Sequence, residues 1–343
     1  MKWLSHAVTR WIAAIAACFV ILFLIPTPYY LYQPGTVERL SSLVTVDQGH
    51  KDSEGSFNLT TVLSIRASNV ATLLYGMLHQ DTEVRKASDV KGNLTDAEYV
   101  RVLTHMMAAS QRTSTASALS QSGQKVDTNV RGLFLTMIQP GSKAKGILRI
   151  GDIITSVDNE SAVSVESVSQ YFSTNKKPGD TVQLKVERGE SQLTEQVKLV
   201  PLGADAHPGL GLTLEPEYDV SSERKVNFTA SEIGGPSAGL MFSLEILDQL
   251  LPEDLTHGLK VAGTGTIDMK GNVGQIGGIR DKIIAAHLAG VDLFFCPKDP
   301  EGTKGNAQDA IDEAKKRGYS LRIVPVSTLA EAVDYLSKLQ PSQ

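Results

Sequence analysis

The sequence predicts an α+β protein of several domains, preceded by an N-terminal transmembrane helix. No charged side chain occurs from Trp11 to Val37. The middle of the chain alternates apolar and polar residues between turn-forming residues, which predicts a mostly-β domain. The last third alternates short apolar strands with apolar helices, which predicts an α/β domain. A length of 343 residues suffices for roughly two to three domains.

The uncharged run is long enough to cross a membrane. A helical span takes about 20 apolar residues, and Trp11 to Tyr32 supplies them with aromatic residues at both ends. Lys2 and Arg10 precede the run, and Glu38 is the first charge after it. The positive-inside rule therefore predicts a single-pass protein of the cell membrane, with a cytoplasmic N-terminus and everything after about residue 35 outside.

Two alternatives exist for this segment. A cleavable signal peptide needs a short apolar core followed by small residues, whereas Pro26 and Pro28 follow the core here. A lipoprotein processing site at Ile15–Cys18 would end the apolar core, but Phe19–Ile25 continues it. The uncleaved anchor is therefore favoured.

The composition argues against several classes of ligand. The net charge is −5 and there is no long basic run, so nucleic acid is not an expected partner. Cys18 and Cys296 both lie among apolar residues, which predicts neither a disulfide framework nor a thiol metal site. No Gly-x-x-x-x-Gly-Lys-Ser/Thr loop occurs, so ATP binding by that route is not expected. We expect no cofactor and no metal.

The part after the anchor (residues 1–35) divides into three regions by pattern. Residues 36–115 form an N-terminal extracytoplasmic region without recognisable chemistry. Within it, alternation at Phe57–Leu63 predicts a strand, and helices are predicted at Ala71–Leu78 and at Thr95–Ala109, the latter with a capping box. The Ser-, Thr- and Gln-rich segment Ser110–Gln124 is either a linker or a solvated helix end.

Residues 116–200 carry three motifs in a fixed order, followed by a helix at Ser164–Phe172 and strands at 182–186 and 193–199. The motifs are Val130–Leu135, Pro140–Ala144 and Gly146–Ile154. Their order and spacing resemble a PDZ domain of the bacterial protease type. The resemblance implies that this domain binds a peptide as an added strand at an exposed sheet edge.

The first of these motifs contains the candidate peptide-binding residues. Gly132 allows close approach of a backbone, so the amides near Arg131 to Leu133 would hold a carboxylate or a carbonyl, and Leu133 and Leu135 would lie on the edge strand. The alternative is a domain that only separates the last third of the chain from the membrane. Arg131 by itself is typical of a solvated charge.

A glycine-rich turn in the last third contains a candidate nucleophile. A short strand at Val226–Thr229 precedes Gly234–Gly239, and an apolar helix follows. Pro236 at a first helical position would place Ser237 in the opening turn, where unpaired amides and the helix dipole favour an oxyanion. The alternative is that Ser237 only caps the helix.

The same turn satisfies Gly-x-Ser-x-Gly, the nucleophile elbow of α/β-hydrolases. That fold needs a histidine late in the chain, but only His257 and His287 follow Ser237. A Ser–His hydrolase is therefore disfavoured without being excluded.

Lys282 is the candidate base. It shares a predicted helical face with Ile279 and Ala286 and lies in the first turn of that helix. Burial and the helix dipole would both lower the pKa of this lysine. For an arbitrary lysine, an exposed surface charge is the usual alternative.

Three segments of the last third closely resemble the proteolytic domain of Lon proteases, over residues 205–338. They are Gly235–Gly239, Gly263–Ile267 and Val273–Ala286. The resemblance implies that Ser237 is the nucleophile, Lys282 the base and Thr264 a supporting residue. The oxyanion would be held around Gly235, Pro236 and Ala238. ATP-dependent Lon proteases carry His-x-His where this chain has Lys225–Asn227, so we expect Thr264 or Asn227 to orient the lysine instead.

With the anchor and the PDZ-like region in front, the whole chain is similar to membrane-anchored PDZ–Lon-type peptidases of Gram-positive bacteria. The resemblance implies an ATP-independent serine endopeptidase that cleaves extended exported peptides, such as a signalling pheromone, or exposed segments of unfolded proteins. Homo-oligomerisation stays open. An inactive peptide-binding scaffold and a Ser–His hydrolase are the other classes that the sequence allows.

Overall fold

A computed structural model describes the chain at residues 2–50, 54–229 and 233–339, with side chains from residue 8 onward. Its first helix, α1, spans Lys2–Leu24. The prediction that the helical span reaches Tyr32 is wrong, because Tyr29–Arg39 forms a strand in which Tyr30 is buried. Within the described ranges, no helix has the length and apolar character of a membrane span. The anchor stays a prediction.

The segment after α1 is a mixture of strands and helices. Its elements are β1 (Tyr29–Arg39), β2 (Val44–Val46), β3 (Ser56–Ala67), α2 (Val70–Leu78), β4 (Glu83–Lys86), α3 (Ala87–Lys91) and α4 (Asp96–Gln121). α4 begins with the predicted capping box, in which Thr95 and Glu98 bond to each other's backbone. It does not end near Ala109 but continues for another three turns.

Residues 126–222 form the middle domain. Its elements are β5 (Val126–Ile138), β6 (Ile153–Val157), β7 (Glu160–Ser161), α5 (Val165–Asn175), β8 (Thr181–Arg188), β9 (Ser191–Lys198), β10 (Val200–Leu202), β11 (His207–Gly209) and β12 (Leu212–Ser222). The main sheet has the order β12-β5-β6-β8-β9 and is antiparallel, with β7 beside β6. Ser164, the first residue of the predicted helix, is the N-cap of α5, and its side chain accepts from the N–H of Ser167.

The last segment alternates strands and helices. Its elements are β13 (Val226–Phe228), α6 (Gly239–Leu250), β14 (Lys260–Gly263), β15 (Thr266–Ile267), β16 (Val273–Gly274), α7 (Ile279–Leu288), β17 (Leu293–Pro297), α8 (Asn306–Arg317), β18 (Arg322–Val326) and α9 (Leu329–Ser337). α6 is buried around its whole circumference, including the polar residues Ser243, Glu245, Asp248 and Gln249.

The central sheet combines both ends of the chain. Its order is β18-β17-β14-β3-β1-β4, with β3, β14, β17 and β18 parallel. Residues 36–115 were predicted to be a region separate from the protease-like last third. Their strands β1 and β3 instead lie in the same sheet as β14, β17 and β18. We call residues 29–121 and 226–337 together the host domain. The middle domain is inserted into it between α4 and β13.

α4 lies between the two domains. Val102 belongs to the hydrophobic core of the middle domain, and Met107 and Ala118 belong to that of the host domain. The segment predicted as a linker or solvated end, residues 110–124, is largely the second half of this helix. Ser114 and Ser117 are buried there, at 0% and 3% exposure. Their small hydroxyls fit between packed helices where larger polar side chains would not.

Candidate active site

Ser237 lies in a tight turn before α6. We call residues 234–239 the serine loop. Within it, Gly235 has a φ of +89°, in a region of backbone conformation that favours glycine. α6 begins at Gly239 rather than at Pro236, so Ser237 precedes the helix instead of lying in its first turn. The serine is partly buried and thus remains accessible.

Lys282 approaches the serine from the first turn of α7. The lysine is only 3% exposed. Its Nζ lies 3.2 Å from Oγ of Ser237 and donates to the backbone carbonyl of Thr60 at 2.6 Å. Ile279 and Ala286, predicted on the same helical face, are buried with it. The two residues singled out in the sequence are therefore in hydrogen-bond contact.

Burial changes the protonation of this lysine. Removing the ammonium from water lowers the pKa of Lys282 from 10.5 to about 7, although the adjacent carboxylate of Asp281 acts in the opposite direction. Near neutral pH, about half of the lysine side chains are therefore uncharged. A neutral amine in contact with a serine hydroxyl is what general-base activation requires.

Thr60 is the site residue that the sequence did not reveal. β3 pairs in parallel with β14, Leu59 opposite Gly263, so Thr60 and Thr264 both follow the paired stretch at one edge of the sheet. The Thr60 carbonyl accepts from the lysine and thereby fixes its orientation. A strand pattern was evident at residues 57–63, but its partner 200 residues away leaves no local signal.

The two residues expected to orient Lys282, Thr264 and Asn227, form hydrogen bonds with other partners. Thr264 is fully buried and donates from Oγ1 to the carbonyl of Ser237 at 3.0 Å, so it holds the backbone of Ser237. The side chain of Asn227 donates to Asp47 at 3.1 Å on the surface. The expectation for Asn227 is therefore wrong, and Thr264 supports the serine instead of the lysine.

The hydrogen bonds of the serine loop show which of its backbone N–H groups are available to bind an oxyanion. The N–H of Gly235 donates to the carbonyl of Leu103 at 3.0 Å, and Pro236 has no N–H, so neither can bind an oxyanion. The N–H groups of Ser237 and Ala238 have no acceptor among the described residues. These two amides, which precede α6, are the remaining candidates.

A cavity of about 300 Å³ opens beside the serine. Its lining carries no charged side chain and consists of Pro236, Ser237, Thr266, Gln275, Ile276 and Gly277. Gln275 is held in place because it donates to the Lys298 carbonyl and accepts from the Asn306 amide. The cavity therefore suits an uncharged substrate side chain.

The histidines expected in a Ser–His hydrolase lie elsewhere. His287 is exposed and stacks on Tyr319 with ring centroids 3.6 Å apart. His257 occupies a turn with a φ of +51°. Within the described part of the chain, the base in contact with Ser237 is Lys282, so the Ser–His alternative has no geometric support.

The predicted peptide-binding residues of the middle domain do not form an edge. β5 is paired on one side with β12 and on the other with β6. Leu133 and Leu135 are fully buried, and a Cβ on Gly132 would lie 2.7 Å from the Ile154 carbonyl. Arg131 pairs with Glu187 at 3.2 Å. The prediction of an exposed edge at β5 is wrong; β12 is the edge strand on this side of the sheet, and α5 packs beside it.

Comparison with known families identifies two domains. Residues 123–199 match the PDZ domain, and residues 226–337 match the Lon protease (S16) C-terminal proteolytic domain. Both resemblances found in the sequence are thereby confirmed. The second match contains Ser237 and Lys282 but does not reach Thr60 or α4.

Curated relatives are Lon proteases. The chain is 30% identical over 104 residues to the Lon protease of Mesomycoplasma hyopneumoniae, covering 30% of this chain and 11% of that protein. It is 35% identical over 102 residues to that of Metamycoplasma arthritidis, with 30% and 11% covered. The chain thus spans about a tenth of the length of the curated relatives that it matches.

Among solved structures, the PDZ domain of an SdrC-like protein from Listeria monocytogenes is 28% identical. The likeness covers 24% of this chain and 87% of that one, with a TM-score of 0.23.

Proposed function

We propose that the chain is an ATP-independent serine endopeptidase of the PDZ–Lon type, in which Lys282 activates Ser237. The matches of residues 123–199 to the PDZ domain and of residues 226–337 to the Lon C-terminal proteolytic domain support this proposal. The observation that carries the proposal is the buried amine of Lys282, 3.2 Å from the serine hydroxyl. Its pKa of about 7 lets it act as a base at neutral pH. The sequence lacks a nucleotide-binding loop, which supports independence from ATP.

The reaction follows from these contacts. Neutral Lys282 donates one N–H to the Thr60 carbonyl, which leaves its lone pair free to accept the proton of Ser237. Oγ then bonds to the substrate carbonyl carbon, and the amides of Ser237 and Ala238 stabilise the resulting oxyanion. The new ammonium gives its proton to the leaving amine as the C–N bond breaks.

Water completes the cycle. The lysine takes a proton from a water molecule, whose oxygen attacks the acyl ester. When the ester bond breaks, the proton returns to Oγ of Ser237. The Thr60 carbonyl accepts from the lysine in both protonation states and more strongly from the ammonium. It therefore stabilises the base at the moment when the oxyanion is present.

We further propose that substrates are extended peptides or exposed segments of unfolded proteins. The sequence offers no nucleotide-binding loop that could drive the unfolding of a substrate, and the cavity beside Ser237 admits an uncharged side chain. The edge of β12, next to α5, is where a peptide would add to the PDZ sheet. An exported signalling peptide would satisfy these requirements.

The proposed location is the outer side of the cell membrane, with α1 as the anchor. The run from Trp11 to Val37 lacks charge, and the apolar side chains of α1, such as Trp11 and Phe19, are exposed in the isolated chain. The test is fractionation of cells. The full chain should sediment with membranes, whereas a chain that begins at residue 27 should not.

The enzymatic proposal is tested with fluorescein-labelled casein, an unstructured reporter protein. The wild type should release labelled peptides without ATP, and Ser237→Ala should release none above background. Lys270→Met removes an exposed lysine of the same domain and serves as the control, with expected wild-type activity. Release by Ser237→Ala at the wild-type rate would refute the proposal. An inactive wild type that still binds casein would favour the scaffold alternative.

A further inference from the structure

α4 holds the serine loop, although it lies outside both family matches. Leu103, Met107, Ser110 and Ser114 recur at intervals of three and four residues and therefore share one helical face. Three hydrogen bonds join that face to the loop: Gly235 N–H to Leu103 O (3.0 Å), Ser110 Oγ to Pro236 O (3.2 Å) and Ser114 Oγ to Gly239 O (2.9 Å).

The bond from Ser110 acts on the peptide that precedes the nucleophile. The peptide unit of Pro236 and Ser237 is planar and trans, so its C=O and its N–H point in opposite directions. Proline fixes φ, and the orientation of this unit therefore depends on ψ of Pro236 and φ of Ser237. Holding the carbonyl against α4 directs the N–H of Ser237 away from α4.

The peptide that follows the nucleophile is held from the other side. The carbonyl of Ser237 accepts from Oγ1 of Thr264 and from the N–H of Gly265 at 2.9 Å. The N–H of Ala238 belongs to this second unit and is fixed with it. Each candidate oxyanion donor is thus oriented through the carbonyl of its own peptide unit. Thr264 holds the unit that contains the Ala238 N–H, and Ser110 holds the unit that contains the Ser237 N–H.

We propose that Ser110 is a positioning residue of the active site, whose hydroxyl orients the Ser237 amide toward the substrate oxyanion. The inference deepens the proposed function and depends on it. Ser110 is 4% exposed and its Oγ lies 3.1 Å from where a Cβ on Gly239 would be, so the contact is tight on both sides. Without this hydroxyl, the Pro236 carbonyl faces a buried surface with no donor, and the peptide unit loses the contact that holds its orientation directly.

The test is Ser110→Ala in the full chain, assayed on a quenched peptide built around a cleavage site mapped in casein. Losing the alignment of one oxyanion donor should lower kcat roughly 10- to 100-fold. KM should change less than about twofold, since the ground-state substrate carries no oxyanion. A peptide boronic acid, which forms a tetrahedral adduct on the serine, should lose affinity by the same factor as kcat.

Ser117→Ala is the matched control. Ser117 lies two turns along the same helix, is as buried as Ser110, and its hydroxyl has no hydrogen-bond partner among the described residues. This variant should keep wild-type kcat and boronate affinity. Because Lys282 is untouched in both variants, the pH at half-maximal rate should stay within about 0.3 units of wild type.

Three results would overturn the role of Ser110. They are a kcat within twofold of wild type, an equal loss in Ser117→Ala, or a loss confined to KM. Should Ser110→Ala fail to fold, Ser110→Cys fills the same space with a weak donor, and a wild-type kcat there would also overturn it. Ser237→Ala separates the failure of the two proposals. Activity in that variant refutes the proposed function, whereas an unimpaired Ser110→Ala refutes only the positioning role of Ser110.

Discussion

Replacing Lys282 with methionine should abolish catalysis and make the folded protein more stable. The wild-type lysine is buried, so its charged form is penalised in the folded state and not in the unfolded chain. Its pKa is lowered from 10.5 to about 7. Below the folded-state value, both states bind the proton and the penalty is fully present. It decreases as pH rises from 7 toward 10.5, because the unfolded chain then binds more protons than the folded one.

The magnitude follows from the size of that shift. At about 1.36 kcal/mol per pKa unit, the ammonium destabilises the fold by about 5 kcal/mol at pH 6 and about 2 kcal/mol at pH 9. Methionine removes the penalty but leaves the Thr60 carbonyl without its donor, at a pH-independent cost of about 1–3 kcal/mol. The stability gained by Lys282→Met should therefore be about 3 kcal/mol greater at pH 6 than at pH 9.

Urea unfolding of the full chain at the two pH values, followed by circular dichroism, measures the difference. Lys270→Met, which removes an exposed lysine, supplies the baseline for changes at other groups. Equal stability increments for Lys282→Met at pH 6 and pH 9 would refute the reasoning, because the lysine would then carry no burial penalty in the folded state. The assignment of Lys282 as the general base would then lack the lowered pKa on which it depends.

Three further outcomes are expected. The ratio kcat/KM should rise with pH through a midpoint near 7, with about a tenth of the maximum one pH unit below it, since only the neutral Lys282 is active; a flat profile from pH 5 to 9 would contradict this. Thr264→Val removes the hydroxyl that donates to the Ser237 carbonyl but keeps the donor from the Gly265 amide, and it should lower kcat roughly 3- to 10-fold in steady-state assays. An unchanged kcat would show that the Gly265 amide alone suffices to hold this carbonyl. A fragment of residues 205–338 should not fold, as judged by amide dispersion in NMR, because β14 lacks its neighbour β3; a dispersed spectrum would show that the sheet is stable without β3.

Local signals in the sequence located the proposed catalytic pair but not its surroundings. Ser237 was recognisable from the glycines and the proline around it, and Lys282 from its apolar helical face. Thr60 was not, because its contribution is a backbone carbonyl, which is positioned by the parallel pairing of β3 with β14. The hydroxyl of Thr60 also donates to the carbonyl of Gly263, 203 positions further along the chain. Such pairing depends on the whole fold and leaves no pattern in either strand alone.

Two other errors have similar physical causes. The Ser- and Thr-rich half of α4 was interpreted as solvated because hydroxyls are polar, but in a helix they can bond to the preceding turn, as Ser114 does to the Ser110 carbonyl at 2.6 Å. The edge strand β12 was missed because it follows residue 200, where the PDZ pattern ends. It therefore fell within the segment assigned to the protease, and β5 was taken for the edge.

The insertion of the PDZ domain has a consequence for engineering. Its first and last strands, β5 and β12, are paired so that Val126 lies opposite Ser222. The chain therefore leaves and re-enters the host domain at two points about 5 Å apart. The two connections to the host domain thus lie as close together as the two strands of a hairpin, although Val102 of α4 also packs in the core of the inserted domain. We expect that modules with similarly adjacent termini can be exchanged at this junction. A short turn in place of the domain should separate the proposed cleavage chemistry from the proposed peptide recognition.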